Sequence, residues 1–143
     1  MTELAILAVV VAATAAAALW WRARDGRVRA VTDRFTEAEL AALGAPSGRQ
    51  LLVEFTAPSC APCVTARRVL DQTVADRDDV TVRVADVAEQ LDLARAHKVL
   101  RTPTTFAVAP DGLVLGRIAG VPDPADVTAL LDRGEVRTRR RAA

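Results

Sequence analysis

The stretch that most constrains this chain is Glu54-Phe55-Thr56-Ala57-Pro58-Ser59-Cys60-Ala61-Pro62-Cys63. A short apolar run (Leu51, Leu52, Val53, Phe55) reads as a strand and leads into a turn. The turn carries a Cys-x-x-Cys pair, and a helical stretch from Val64 to Ala75 follows at once. Cys60 and Cys63 are the only two cysteines in the chain. Three apart at a helix start, their side chains share a face, so they can close a small disulfide or open to a dithiol. At the first turn Cys60 meets unpaired backbone N–H groups and the positive end of the helix dipole. Both favour thiolate over thiol and make Cys60 the expected nucleophile, with Cys63 as the resolving thiol. Two other readings fit the pair itself. It could be a redox-inert core pair, or half of a zinc site completed only in a dimer, since two thiolates supply half the usual ligands.

A second signal lies some 40 residues downstream, where Arg101-Thr102-Pro103-Thr104-Thr105 precedes another apolar strand. With Pro62 inside the cysteine motif, this pattern resembles the thioredoxin family over roughly Val28 to Asp132. The resemblance implies an α/β thioredoxin fold, a mixed central β-sheet with helices on both faces; the apolar N-terminal stretch outside it adds one transmembrane helix before that fold. It implies thiol–disulfide exchange on protein disulfides, with a redox-active Cys60–Cys63 disulfide in place of any cofactor or metal. It also implies a cis peptide bond before Pro103, set beside the cysteines, and a substrate surface of Ser59, Ala61, Pro62 and Thr102. An ordinary trans proline at a strand start is the alternative for Pro103.

Glu54 is the odd residue in that apolar strand, because a strand covered on both faces should not hold an unpaired carboxylate. Thioredoxins carry a buried Asp at the matching position and some oxidising relatives a Glu. By that resemblance Glu54 shuttles a proton to or from Cys63, with its pKa raised by burial. Otherwise its side chain reaches the strand end and pairs with an arginine. The chain also departs from the family. Ser59 stands where Trp is usual, Ala61 where Gly is usual, and Arg68 where many members have a kinking Pro. Thr102 replaces a frequent Ile, and the family's lysine beside the buried acid is missing, with Val82 or Val84 nearby. These changes leave the disulfide chemistry possible, but the family's substrate surface, its potential and its reduction by a standard thioredoxin reductase do not carry over with it.

The N-terminus sets the organisation. Leu4 to Trp21 holds no charge, and as a helix it would span roughly 27 Å, near the thickness of a hydrocarbon core. Trp20 and Trp21 close it where interfacial aromatics sit. Residues 1–22 therefore read as a membrane anchor, 23–27 as a basic juxtamembrane segment, 28–134 as the thioredoxin-like domain and 135–143 as a basic tail. A cleaved signal peptide is the rival, although no basic region precedes the segment. Arg22, Arg24, Arg27 and Arg29 follow it, which by the positive-inside rule puts the domain in the cytoplasm; an exported domain is the alternative.

At 143 residues there is room for one domain and an appendage, with 51% hydrophobic residues to build a core. A net charge of +1 and 3% aromatics argue against nucleic acid as a partner. The expected partners are protein disulfide substrates, a thiol reductant or membrane electron donor, and the membrane itself through residues 4–21; the chain is expected to be a monomer.

Along the domain, Val28 to Val31 fits a short edge strand. Thr36 to Glu39 reads as a capping box before a helix that Gly44 stops. In the helix after Cys60 the inward residues are expected at Val64, Val69, Leu70 and Val74, with Arg67 and Arg68 toward water. A strand over 81–87, a helix over 88–98 with Leu91 and Leu93 inward, and a hairpin turning at Pro110-Asp111-Gly112 follow. The last helix starts at an Asp123 cap with Pro124 at its first position and ends at Gly134. His97, the single histidine, is expected near a helix end in solvent, and Arg139-Arg140-Arg141 in a disordered tail.

Overall fold

The structure is a computed structural model that describes residues 2–142, apart from the side chains of Arg22, Arg24, Arg141 and Ala142. Those three arginines of the sequence reading thus lie outside the described side chains. In chain order the elements are α1 (Thr2–Arg24), β1 (Val28–Arg29), α2 (Glu37–Ala42), β2 (Gln50–Thr56), α3 (Ala61–Thr73), β3 (Val80–Asp86), α4 (Leu91–Ala96), β4 (Thr104–Val108), β5 (Val114–Ala119) and α5 (Pro124–Ala142). After α1 this is the expected alternation ending in a hairpin and a helix.

The five strands form one mixed sheet in the order β1-β5-β4-β2-β3. Only β2 and β3 run parallel; β4 pairs antiparallel with both β2 and β5. Because β-strand side chains alternate, β2 feeds two cores. Leu51, Val53 and Phe55 pack with Phe35 and Phe106 on one face. Leu52 packs with Leu70, Ile118 and Leu130 on the other, which α3 and α5 cover. Glu54 shares the parity of Leu52 and so points to the α3 side.

The local start signals work as expected. Thr36 accepts from Glu39 N at 3.2 Å while Glu39 accepts from Thr36 N at 2.7 Å, a complete capping box. Gly44 follows the last turn of α2 at φ +61°. Asp123 accepts from the Ala125 N–H at 2.8 Å at the head of α5.

Four expectations fail on packing. The buried residues of α3 are Cys63, Ala66 and Leu70, a three- and four-residue spacing set by the cysteine, so Val64 turns out to be 63% exposed. On α4, Leu91 likewise faces out and Ala94 is buried. Gly134 does not end α5. It is buried inside the helix, where an added Cβ would lie 2.6 Å from the Leu115 side chain and collide with the Gln50 amide. The glycine serves close helix–sheet approach, and the basic residues beyond it continue the helix. There Arg137 meets Asp111 at 3.4 Å and Arg139 pairs with Glu135.

His97 is the fourth. It is 4% exposed, stacked on Phe35 with centroids 3.7 Å apart. Its Nδ1 lies 2.8 Å from Asp33 Oδ2, and its Nε2 lies 3.4 Å from Glu39 Oε1 without hydrogen-bond geometry. The ring ties the segment before α2 to the end of α4. His97→Ala is expected to cost about 2–4 kcal/mol, since it opens a cavity beside Phe35 and leaves two carboxylates facing each other. A denaturant midpoint equal to that of the parent chain would contradict this role.

Candidate active site

The end of β2 delivers the chain to the site. Thr56 O accepts from Val87 N at 2.9 Å, which holds the strand end against the segment after β3. The turn that follows includes Ser59 at φ +60°, a left-handed conformation that costs a non-glycine residue about 1 kcal/mol or more. That turn aims Cys60 at the N-cap of α3, with Ala61 and Pro62 in the first two helical positions and Cys63 in the third. Proline suits this place, because its missing N–H would have no helical partner there.

Cys60 and Cys63 are joined in a disulfide, with S–S 2.05 Å and Cα–Cα 5.3 Å. Cys63 is 4% exposed, whereas Cys60 is half-buried. Of the two sulfurs, the one at the helix start is therefore the one open to another molecule. A cavity of about 590 Å³ opens beside the pair, lined among others by Glu54, Ser59, Ala61, Val64, Arg67 and Val84.

Glu54 is 1% exposed, and neither carboxylate oxygen has a hydrogen-bond partner in the protein. The expected alternative, pairing with an arginine at the strand end, does not form. Burial raises its pKa to about 7, while the charge of Arg67 pulls it down and that of Asp71 pushes it up. Its cross-strand neighbours are Val84 on β3 and Thr105 on β4. The Thr105 hydroxyl is also buried without a partner.

Arg67, expected toward water, is a further residue that sequence reading misplaced. Its Nε donates to Asp71 at 2.9 Å, but its Nη1 is buried, unpartnered and on the cavity that Glu54 lines. The available signal was its place four residues after Cys63, one turn along the same face.

Pro103 follows a cis peptide bond from Thr102, as the resemblance implied. It is buried immediately before β4, and Thr104 pairs with Phe55 of β2. Thr102 and Pro103 thus stand at the same end of the sheet as the cysteines, although neither lines the cavity. Arg101 O accepts from the Thr104 hydroxyl at 2.7 Å, and Pro103 O from Gly120 N at 2.8 Å. Pro62 is exposed on α3.

The profile of the thioredoxin-like domain family matches residues 37–135. The thioredoxin of Mycobacterium bovis is 32% identical over 93 residues, covering 64% of this chain and 79% of its own. Mitochondrial thioredoxin-3 of Saccharomyces cerevisiae is 33% identical over 81 residues, 57% of this chain and 60% of that one. Among solved structures, a mutant thioredoxin from Halobacterium salinarum superposes with a TM-score of 0.57 at 28% identity, covering 68% of this chain and 84% of that one. The oxidised form of yeast mitochondrial thioredoxin 3 gives 0.56 at 26% identity, covering 67% and 88%. The family match starts with α2 and ends within α5, so it takes in the disulfide's whole setting and leaves α1 outside. By its shared domain and its bonded cysteine pair, the chain belongs to the thioredoxin family and is a thiol–disulfide oxidoreductase.

Proposed function

We propose that this chain is a membrane-tethered reductase of protein disulfides, working through Cys60 and Cys63 with no other cofactor. The observation that carries the reading is the pair itself: a half-buried sulfur at the head of α3, a buried one in the next turn, and a buried carboxyl lining the same cavity. In the dithiol form, the Cys60 thiolate attacks one sulfur of a substrate disulfide and the other leaves as a thiolate. Cys63 then loses its proton to the Glu54 carboxylate and attacks Cys60. The mixed disulfide breaks, the second substrate thiolate leaves, and the Cys60–Cys63 disulfide remains. Two electrons pass to the substrate, and a thiol reductant or membrane donor must return them. Ser59, Ala61, Pro62 and Thr102 border the place where substrate binds, and Pro103 shapes that border.

Tethering is supported by α1, of which Thr2–Trp21 is long and apolar enough to cross a membrane and is not buried against the domain. The arginines that follow favour a cytoplasmic domain. The test is the reduction potential of the cysteine pair in the full chain, held in detergent. A value near about −270 mV fits a reductase; one between about −120 and −180 mV marks an oxidant or isomerase and would overturn the direction proposed.

A further inference from the structure

The active site and the apolar helix meet at the same end of the molecule. β1 begins where β5 ends (Val28 opposite Ile118), β5 ends where β4 begins (Ala119 opposite Thr104), and β4 begins where β2 ends (Thr104 opposite Phe55). The end of the sheet at which the chain leaves α1 is therefore the end that carries Cys60 and Pro103. Three strand spacings separate β1 from β2 in the sheet order, about 14 Å at the usual distance between strands.

The connection between them is short and fastened. Only Asp25, Gly26 and Arg27 lie between α1 and β1. Asp25 N donates to Trp21 O at 3.0 Å, so the turn grows directly from the helix. Gly26 N donates to Ala119 O at 2.9 Å. The Asp25 carboxylate pairs with Arg101, whose guanidinium also donates to Ala119 O at 2.6 Å. Gly120, at φ +105°, makes room for this. A Cβ there would sit 2.6 Å from the Asp25 carboxylate, and the same residue's N–H holds Pro103 O. The turn after α1 and the proline loop thus meet at Ala119 and Gly120: Gly26 and Arg101 both bond Ala119 O, and Gly120, against which the Asp25 carboxylate packs, bonds Pro103 O.

We propose that this junction holds the active site against the bilayer surface, and that the substrates are disulfides of proteins anchored in the same membrane. The proposal rests on the reading of α1 as an anchor. With Trp20 and Trp21 at the interface, Asp25 stands only about 6 Å farther along the axis. A flexible linker would let the domain sample distant partners; three residues, tied down at two of them, do not. The surface at this end suits a headgroup layer. Arg27 and Arg29 are exposed, and Leu100, next to the Asp25-paired Arg101, is 90% exposed. Basic side chains beside a projecting apolar one favour an anionic membrane face.

The test uses the full chain reconstituted in phosphatidylcholine vesicles containing phosphatidylglycerol. The substrate is one fluorescent disulfide peptide in three forms: free, tethered to a transmembrane peptide by a short spacer, and tethered by a long rigid spacer that lifts it well clear of the surface. The short-spacer form is expected to be reduced about tenfold faster than the long-spacer form at equal surface density. Inserting about 15 Gly/Ser residues between Arg24 and Asp25 gives roughly 20 Å of play and is expected to erase that preference. The rate on free peptide should stay unchanged, which also shows that the variant is folded. Equal rates on the two tethered forms, or a preference that survives the insertion, would overturn the proposal. Flotation separates the two readings: a chain that does not float with vesicles has lost the anchor, while one that floats without a spacer preference has lost only the fixed geometry.

Discussion

Cys60→Ser is expected to bring the reduction of insulin disulfides down to the uncatalysed background, a loss of several orders of magnitude. Cys63→Ser is expected to fail differently. The two variants separate because the sulfurs differ in access: Cys60 is half-buried at the N-cap, and Cys63 is 4% exposed in the next turn. A serine hydroxyl does not ionise near neutral pH, so without Cys60 nothing at the helix start can attack a disulfide sulfur. Without Cys63 the first attack still happens, but the mixed disulfide has no internal thiol to resolve it. The Cys63→Ser chain should therefore accumulate covalently joined to its substrate, visible on a non-reducing gel and released by added thiol. Trapping by the Cys60→Ser chain instead, or turnover that persists in it, would reverse or remove the roles assigned.

What could be read before the fold was known was local. The apolar run from Leu51 to Phe55, the Thr36–Glu39 cap and the Asp123-Pro124 start each depend on residues within a few positions of one another, and each forms. The proline loop was legible through its likeness to a family rather than through its own residues. What escaped depends on tertiary contacts. His97 is buried by Phe35, Asp33 and Glu39, which lie some 60 residues earlier and are brought to it only when α4 closes over the sheet. Gly134 carries the usual mark of a helix stop. Whether a glycine ends a helix or lets it press on a sheet depends on what lies opposite, and Gln50 and Leu115 lie opposite. Spacing fixed the face of α3 only to within a turn, so Arg67 was sent to water when part of its guanidinium looks onto Glu54's cavity.

Glu54→Gln should change both rate and stability, in opposite directions. Above pH 7 the wild-type carboxyl is ionised and can take the Cys63 proton; the amide cannot. Disulfide reduction is expected to fall about 100-fold at pH 8, at the low end of what a positioned base contributes. The wild-type rate should climb through a pKa of about 7, and the variant should lack that rise. Stability runs the other way. In the unfolded chain the group ionises near 4.5, in the folded one near 7, so between these values only the folded state keeps the proton. The unfolded state then binds fewer protons, and stability falls as pH rises. The stabilisation is fully present below about pH 4.5 and lost by pH 7, a total of about 3 kcal/mol at 1.36 kcal/mol per unit. Glu54→Gln removes this slope and should leave the variant more stable than wild type at pH 8. Arg67 supplies the control. Its charge favours the ionised carboxylate, so Arg67→Met should move the rising limb of the rate profile to higher pH, and Arg67→Lys should restore it. The uncharged neighbours Val84 and Thr105 cannot mimic that shift, and Asp71, the other charge that acts on Glu54, opposes it. In a Glu54→Gln background the Arg67→Met shift must vanish, because the group whose ionisation it moves is no longer there. A limb that stays near pH 7 in Glu54→Gln would assign the ionisation to another group and take the proton step away from Glu54.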